Sequence, residues 1–319
     1  MAFKIVIPML VMFILGFISC RVMPVTSYEA TKSAYEVTGD VVWADHILKT
    51  VNIKYRIHAA KREPPFQIFS QEGGFVGVEL ESSGDWDQRI GNVLRQELLK
   101  NNGGIALDVG GNVGYFTLTL AKLGLHVITI EALPSNAALL VKSVELNNLS
   151  KNVRVFNVAL SDGQKDVMLC AIFNTPTNGI LVPRSQKDEQ SRMIGYKGPC
   201  IDVEMSTLDK IMIWNKPISI MKMDVEGFEY FVLKGGTSLM SSEMAPCSVI
   251  FEYNPILVHR MPYAYTAVML WDLVITQFGY SMHQLDGKNI KKEEFVKFEN
   301  GQYVDLLMRQ TRKLSHCIY

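Results

Sequence analysis

The sequence predicts an α/β fold, a mostly parallel sheet of seven strands with helices on both faces. From residue 105 onward, short apolar runs alternate with segments of helical period, which is typical of buried parallel strands joined by helices. The last two runs follow each other without a long helix between them, which predicts an antiparallel pair at one edge of the sheet. The runs are residues 105–109, 126–130, 153–156, 218–223, 248–251, 280–285 and 303–308.

The composition is that of a globular protein with a hydrophobic core. The chain has 319 residues, of which 48% are hydrophobic and 20% are charged, and this excludes a disordered chain, a collagen and a coiled coil. Lysine and arginine number 32, as do aspartate and glutamate, so no net charge draws the molecule toward nucleic acid, although a local basic patch stays open. The five cysteines show no C-x-x-C motif and no zinc-ligand spacing.

The N-terminal segment predicts attachment to a membrane. Residues 5–20 carry no charge, Lys4 precedes them and Arg21 follows them. Their length lies between the hydrophobic region of a cleaved signal peptide and the roughly 20 residues that span a bilayer comfortably. We expect an uncleaved, single-pass signal anchor with the bulk of the chain in the lumen or outside the cell. Cleavage after Ser27, which would give a secreted protein, is the alternative.

Either destination implies an oxidising compartment. Cys170 and Cys200 flank one irregular stretch and could pair there. Asn148, Leu149 and Ser150 form a sequon for N-linked glycosylation. The disulfide and the glycan are both hypotheses that follow from the predicted destination.

The remaining segments are interpreted from local patterns. Residues 21–60 lack a sustained period and are interpreted as a stem with a short helix at 43–51. Residues 66–70 and 75–80 alternate like strands around Gly73 and Gly74, which predicts a hairpin. The predicted helices are 86–98, 135–147 with Ser135 as its cap, and 264–278, and the aperiodic stretch 171–199 is expected to form a loop over the ligand site. The expected domains are a signal segment at 1–22, a stem and hairpin region at 23–83, the main domain at 84–310 and a tail at 311–319.

A glycine-rich turn after the first strand predicts a nucleoside site. Unsatisfied N–H groups where the following helix starts favour a polar or anionic group of a ligand. About 20 residues beyond the first turn glycine, Glu131 ends the next strand, where a carboxylate can accept both hydroxyls of a ribose. The alternative is a tight turn, with Glu131 capping the next helix. The segment comprises Asp108, Gly110, Gly111, Asn112, Gly114, Tyr115 and Phe116.

The nucleoside is predicted to be that of S-adenosylmethionine. Asn112 stands where a dinucleotide fold would have its second glycine, which disfavours a pyrophosphate. Asp108 is placed to face the methionine ammonium, directly or through water. Two interpretations of Asp162 stand equal: it contacts the adenine, or it is only a turn residue that precedes Gly163. Further cofactor contacts are expected from Ala132, Asn136, Ala159, Leu160, Ser161 and Asp162.

Carboxylates follow the fourth strand of the predicted sheet. Asp224 and Glu226 lie two residues apart at its carboxyl end, where open α/β sheets bind ligands, and Glu252 follows the next strand. Such groups could orient an acceptor hydroxyl, abstract its proton or hold a divalent cation. A cation would need more ligands than the sequence places there, because His259 is interpreted as a surface histidine on a loop and Glu229 as a solvated helix residue. No metal is therefore assigned.

Five motifs carry a resemblance to a known family. They are LDVGGNVGYFTLTLA at 107–121, IEALPSNAALL at 130–140, VALSD at 158–162, TLDKI at 207–211 and MKMDVEGFEYFVLKGG at 221–236. With them the chain resembles the FkbM-type S-adenosylmethionine-dependent methyltransferases over roughly residues 84–308. Ala132 departs from the family's usual proline, which loosens that turn. The resemblance implies a class I methyltransferase Rossmann-like sheet of seven strands.

The resemblance also implies O-methylation of a hydroxyl, often on a sugar or another small-molecule scaffold. Methyl transfer from a sulfonium is an in-line displacement in which the enzyme supplies alignment, exclusion of water and removal of one proton. Asp224, supported by Glu226 or Glu252, is expected to face the acceptor oxygen. Two alternatives stay open: a binding module that keeps the fold without turnover, and an NAD(P)-dependent oxidoreductase, which Asn112 disfavours. The expected partners are a small-molecule or glycan acceptor and a membrane, and no nucleic acid.

Overall fold

The structure is a computed structural model that describes residues 34–101, 104–163, 167–172, 175–184, 200–212, 216–260, 265–301 and 303–318. The predicted membrane segment, residues 5–20, lies outside the described residues. Within the described ranges, no helix is long and apolar enough to cross a bilayer. The described residues from Tyr35 onward form one compact unit.

The described elements alternate between helices and strands through most of the chain. In order they are α1 (Val41–Thr50), β1 (Tyr55–Ala60), β2 (Phe66–Gln71), α2 (Phe75–Ser82), α3 (Gln88–Leu99), β3 (Ile105–Val109), α4 (Tyr115–Lys122), β4 (His126–Glu131), α5 (Pro134–Leu146), β5 (Val153–Asn157), β6 (Ala159–Leu160), β7 (Val167–Ile172), β8 (Thr175–Pro183), β9 (Cys200–Asp202), β10 (Met205–Ser206), α6 (Leu208–Ile211), β11 (Ile218–Met223), α7 (Glu229–Lys234), α8 (Thr237–Ser241), β12 (Ser248–Tyr253), α9 (Pro255–Arg260), α10 (Ala267–Trp271), β13 (Tyr280–Gln284), α11 (Lys292–Lys297) and β14 (Val304–Gln310).

The central sheet has the strand order β13-β14-β12-β11-β3-β4-β5. Neighbours from β12 to β5 run parallel, whereas β14 is antiparallel to both β12 and β13. The order and the antiparallel pair at one edge are those of the predicted class I methyltransferase sheet. All seven predicted strands are present, and their ends agree with the prediction to within two residues.

The sheet is covered on both faces because its central strands are apolar on both. Successive side chains of a strand point to opposite faces. Accordingly Leu107 and Met221 join the cluster that contains Val232 of α7, whereas Ala106 joins the cluster that contains Leu118 of α4. Every position of β3 and β11 is buried, which explains their near-continuous hydrophobic runs.

The predicted hairpin at 66–70 and 75–80 is wrong in its second half. β2 is a strand, but it pairs antiparallel with β1, and residues 75–82 form the helix α2. Val76 and Leu80 are buried while Phe75 and Val78 are 52% and 53% exposed. The buried pair has helical i, i+4 spacing, so the apparent alternation of apolar residues came from two side chains that face outward.

Two further details of the prediction are corrected. Helix α5 begins at Pro134 with Leu133 as its N-cap residue, so Ser135 is not the cap. The stretch predicted as a loop, 171–199, includes the strand β8, which pairs antiparallel with β7. Residues 185–199 of that stretch lie outside the described residues.

Two disulfides are present in the described part of the chain. Cys170 and Cys200 are bonded, with an S–S distance of 2.02 Å, which confirms the predicted pair. Cys247 and Cys317 form a second bond that the sequence analysis did not foresee, and it ties the C-terminal tail to the start of β12. No local spacing indicated this pair, because its members are 70 positions apart in the sequence.

Candidate active site

Two adjoining clefts open at the carboxyl ends of the central strands. The first cleft measures about 1050 Å³ with its open mouth, and its wall includes the turn after β3, Glu131 and Leu160. The second cleft measures about 1150 Å³ and is bounded by the start of α3, the end of β12 and the start of β14. Six residues line both clefts: Phe75, Trp86, Phe116, Lys222, Asp224 and Glu226.

The glycines of the turn after β3 are required by the protein's own packing. Gly110 has φ +79°, and a Cβ there would overlap the carbonyl oxygen of Asp224. Gly114 has φ +98°, and a Cβ there would lie 2.8 Å from Cγ of Leu140. Only glycine adopts such angles without strain and leaves room for these neighbours. The turn therefore joins β3 closely to the end of β11, so the two clefts share a wall.

Glu131 points toward the glycine turn. Its Oε2 accepts a hydrogen bond of 2.7 Å from the backbone N–H of Asn112, and its Oε1 accepts one of 2.8 Å from Leu133. Burial raises the pKa of the Glu131 carboxyl to about 7, and the two N–H donors oppose that rise. The carboxylate is thus fixed at the wall of the first cleft with lone pairs left for a ligand.

Most residues predicted to bind the cofactor lie on the wall of the first cleft. Asp108 does not, because it is fully buried behind the turn, where its Oδ2 accepts a 2.6 Å hydrogen bond from Thr117. Burial raises the pKa of the Asp108 carboxyl. Asp162 pairs with Lys234 at 2.7 Å instead, and Gly114 and Ser161 are also absent from the wall. The predicted residues that line it are Gly110, Gly111, Asn112, Tyr115, Phe116, Glu131, Ala132, Asn136, Ala159 and Leu160.

Lys222 lies at the junction of the two clefts. It is 5% exposed, and its Nζ lies 3.3 Å from Oδ2 of Asp224 and 3.3 Å from the carbonyl oxygen of Gly110. Burial lowers the pKa of Lys222, but Asp224 and Asp108 raise it by more, so the net shift is upward. A buried cation needs such partners. Lys222 therefore holds Asp224 toward the junction.

The predicted catalytic carboxylates meet at this junction. Asp224 and Glu226 line both clefts and Glu252 lines the second. Burial, with Asp224 and other carboxylates nearby, raises the pKa of Glu252 to about 8, and burial likewise raises the pKa of Glu226 well above its usual range. Glu226 has φ +54° and β11 ends at Met223, so the chain is already turning at Glu226 and is not extended there as the sequence suggested.

Glu229 is not the solvated residue that the sequence suggested. It is 1% exposed, and its Oε1 accepts hydrogen bonds of 3.2 Å from the N–H groups of Val225 and Gly227. Its Oε2 accepts one of 3.3 Å from the hydroxyl of Tyr265. Burial raises the pKa of the Glu229 carboxyl to about 7. Glu229 therefore braces the turn that carries Glu226.

His259 lies outside both clefts. It is exposed on α9, a helix rather than the predicted loop, and its Nε2 lies 3.1 Å from the carbonyl oxygen of Glu299. Among the described residues, the group of three potential metal ligands whose ligand atoms lie within 4.8 Å of one another is Cys247, His316 and Cys317. Its two cysteines are bonded to each other, so they offer no thiolate to an ion.

The family of the chain follows from its match to a domain model. The model of the methyltransferase FkbM domain matches residues 108–282, more than half of the 319 residues. The chain belongs to this family. That membership confirms the family predicted from the motifs, and the matched domain is described as a methyltransferase domain.

The individual proteins that the chain resembles share little sequence identity with it. The chain is 25% identical over 152 residues to methyltransferase sdnD of Sordaria araneosa, a match that covers 40% of this chain and 59% of that protein. Among solved structures, it resembles the 16S rRNA N2 G1207 methyltransferase RsmC of T. thermophilus at 14% identity and a TM-score of 0.40, covering 80% of this chain and 50% of that one. It also resembles a TehB-like methyltransferase of Corynebacterium glutamicum at 10% identity and a TM-score of 0.39, and this match covers 74% of this chain and 94% of that one.

The first cleft of this FkbM-family chain fits S-adenosylmethionine. Glu131 offers carboxylate oxygens where ribose hydroxyls need an acceptor. Leu133, Val158 and Leu160 line the same cleft and offer an apolar surface to an adenine ring. The cleft is open rather than filled by packed side chains, so the chemistry and the room that the cofactor needs are both present.

Several residues of the two clefts are not predicted from the sequence. Lys222 carried a signal that was not used, because a lysine inside an otherwise apolar buried strand needs an anionic partner. Trp86 is the first residue of the predicted helix 86–98, and its spacing gave no indication that it lines the site. Arg89 and Asp305, which pair at 3.0 Å across the second cleft, gave no local signal because they are 216 residues apart.

Proposed function

We propose that this FkbM-family methyltransferase transfers the methyl group of S-adenosylmethionine to a hydroxyl of a glycan or another small-molecule scaffold. The observation that carries the proposal is the shared wall of the two clefts. Asp224 and Glu226 line both, so carboxylates stand where a cofactor in the first cleft and an acceptor in the second would meet. A hydroxyl needs a proton acceptor at that place, and a carboxylate is one.

The residues of the first cleft bind and orient the cofactor. Glu131 accepts the ribose hydroxyls, and the apolar wall around Leu160 holds the adenine. When bound, S-adenosylmethionine supplies a methyl group that its positive sulfur already activates. Phe75, Trp86 and Phe116 line both clefts and keep water from the junction.

The residues at the junction move one proton. An alcohol is too weak an acid to ionise before attack at neutral pH, so Asp224 takes the proton as the new O–C bond forms and the S–C bond breaks. A cofactor bound in the first cleft would leave with the electron pair of that bond, as S-adenosylhomocysteine. Lys222 holds Asp224 in place, while Glu226 and Glu252 hold negative charge or a proton beside it.

Calorimetry with three ligands tests the proposal. We expect S-adenosylmethionine and S-adenosylhomocysteine to bind and NADH not to bind. Binding of NADH alone would indicate an oxidoreductase and overturn the proposal. Incubation with a methyl-labelled donor and a fractionated extract then tests turnover. Label on a hydroxyl supports the proposal, and cofactor binding without label in any fraction would indicate a binding module that keeps the fold without catalysis.

We propose in addition that the chain is held at a membrane by residues 5–20, with its catalytic domain in the lumen or outside the cell. The two disulfides support this location, because such bonds persist in oxidising compartments. Asn148 of the sequon is exposed, so a glycan there meets no obstacle.

Expression in a secretory cell line tests this location. We expect the full-length chain to stay in the membrane pellet after alkaline extraction and to shift in electrophoretic mobility on treatment with an N-glycosidase. The Asn148→Gln variant should lose that shift. A full-length product that is released by alkali and lacks the shift would contradict the location.

A further inference from the structure

The second cleft has walls of two chemical kinds. Phe75 and Tyr303 are 52% and 58% exposed, so they present ring surface to solvent, and Trp86 stands beside them. The same cleft is also lined by groups that accept hydrogen bonds, among them Glu252 and Asn254. Aromatic faces carry partial negative charge and attract C–H groups, whereas carboxylates and amides accept from hydroxyls. A ring that carries both C–H faces and hydroxyls matches this wall.

The charges of the second cleft are unbalanced. Its carboxyl groups are Asp87, Asp224, Glu226, Glu252 and Asp305, of which Glu252, with a pKa of about 8, keeps its proton at neutral pH, and its cations are Arg89 and Lys222. Both cations are already engaged. Lys222 lies 3.3 Å from Asp224, and Arg89 lies 3.0 Å from Asp305 and 3.8 Å from Asp87. An anionic group entering the cleft would therefore meet carboxylates and find its possible counter-ions occupied.

We propose that the second cleft is the acceptor subsite and that it takes a neutral polyhydroxylated ring, such as an uncharged sugar residue, and rejects an acceptor that carries a carboxylate, sulfate or phosphate. The inference rests on the proposed function and adds the class of its substrate. The aromatic residues position the ring, and the carboxylates accept hydroxyl hydrogen bonds. Asp305 sets the discrimination against anions, because its carboxylate pairs with Arg89 and so takes the partner that an anionic acceptor would need.

Electrostatics explain the rejection. Like charges that approach within a few ångströms in a partly buried site repel strongly, because less water screens them than at an open surface. Asp305 is 7% exposed at its side chain, and burial, with Asp87 nearby, raises the pKa of its carboxyl to about 6. A neutral hydroxyl adds no charge and gains hydrogen bonds to the same groups. Specificity of this kind comes from the unfavourable contact with the wrong ligand.

A glycan mixture separated by charge tests the proposal. Glycans released from glycoproteins are split by anion exchange into a neutral pool and an anionic pool, and each pool is offered to the full-length protein with a methyl-labelled donor. We expect at least tenfold more label per mole in the neutral pool. In parallel, protein loaded with S-adenosylhomocysteine is immobilised, and the neutral pool should be retained longer than the anionic pool. Equal label and equal retention, or a preference for the anionic pool, would overturn the proposal.

The Asp305→Asn variant sharpens the test. Removing this carboxylate frees Arg89 to meet an anion, so the neutral-to-anionic ratio of label and of retention should fall at least threefold. Asp45→Asn is the matched control, because Asp45 is 58% exposed at its side chain and lies outside both clefts. A ratio that Asp305→Asn leaves unchanged would show that Asp305 does not set the discrimination.

Calorimetry separates a failure of this inference from a failure of the proposed function. Protein that does not bind S-adenosylhomocysteine would contradict the function itself. Protein that binds it, yet neither labels nor retains the neutral pool, would contradict the acceptor class alone. A protein that instead labels an aglycone in the fractionated extract would likewise contradict the acceptor class, while the methyltransferase function would stand.

Discussion

The two clefts are built in different ways. The first is shaped mainly by backbone: the glycine turn after β3 is packed against the end of β11, and Glu131 is fixed by two backbone N–H groups. The second is shaped by side chains from remote elements, such as Arg89 of α3 and Asp305 of β14. Backbone geometry tolerates few substitutions, whereas side chains can be exchanged without loss of fold. The first cleft is therefore suited to a constant ligand and the second to one that differs between relatives.

The largest effect is expected at the junction. Asp224→Asn removes the proton acceptor, so turnover should fall about 1000-fold, within the range for loss of a general base. The Kd for S-adenosylhomocysteine should change less than threefold, because the rest of the first cleft stays intact. Steady-state kinetics and calorimetry measure the two quantities, with Asp45→Asn as control. A variant that loses cofactor affinity and keeps its turnover would assign Asp224 to the first cleft alone.

The reverse pattern is expected for Glu131. Glu131→Ala removes the acceptor for both ribose hydroxyls, and two hydrogen bonds to a charged group correspond to a rise of about 100-fold in the Kd for S-adenosylhomocysteine. Turnover at saturating cofactor should stay within about fivefold. Glu243→Ala, a change at an exposed residue outside both clefts, is the control. Should both substitutions, at 131 and at 224, lower affinity and turnover equally, the clefts would not have separate roles.

The shared wall of the clefts can be tested through stability. Gly110→Ala forces a Cβ into the carbonyl of Asp224 at a positive φ, so the free energy of unfolding should fall by about 3 kcal/mol. Gly124 also has a positive φ, +90°, but a Cβ there meets nothing within 4 Å. Gly124→Ala should therefore cost only about 1 kcal/mol. Urea denaturation measures both. Equal losses would mean that the turn can move away from β11.

The difference between the clefts also decides what the sequence could predict. The glycine turn and Glu131 lie within one strand-turn-helix-strand segment, so their relation follows from local spacing, and the structure places them together. The pairing of Arg89 with Asp305 joins side chains 216 positions apart in the sequence, and no local residue pattern encodes that contact.

Two misinterpretations have the same origin. The sequence predicts a solvated Glu229, because a charged side chain at a helix start is usually exposed. In the structure Tyr265, from a distant segment, contacts this side chain and helps to bury it. In α2, Phe75 and Val78 are apolar yet exposed, so the pattern of apolar residues did not show which face is buried. In each case the missing information was the tertiary neighbour.

The smallest effect is a pH dependence that belongs to the second cleft. Burial, with Asp224 nearby, raises the pKa of Glu252 to about 8, so this carboxyl keeps its proton at neutral pH and loses it above pH 8. Once ionised it adds a negative charge beside the transferred proton, so turnover should rise with pH, by less than about tenfold in all, and level above pH 8. The free energy of unfolding is expected to change in the opposite direction. The folded state holds this proton more tightly than the unfolded state, so the contribution of Glu252 to stability is present below its unfolded pKa and declines as pH rises toward 8.

A pH series of turnover and of unfolding midpoints tests this opposition. Glu252→Gln should flatten the rise in turnover and the decline in stability together, because both arise from one proton. The Kd for S-adenosylhomocysteine should not follow the same curve, since Glu252 lines the second cleft and is absent from the wall of the first. A turnover profile that keeps its slope in Glu252→Gln would place the titrating group elsewhere, and Glu226, whose pKa burial also raises, would be the next carboxyl to replace.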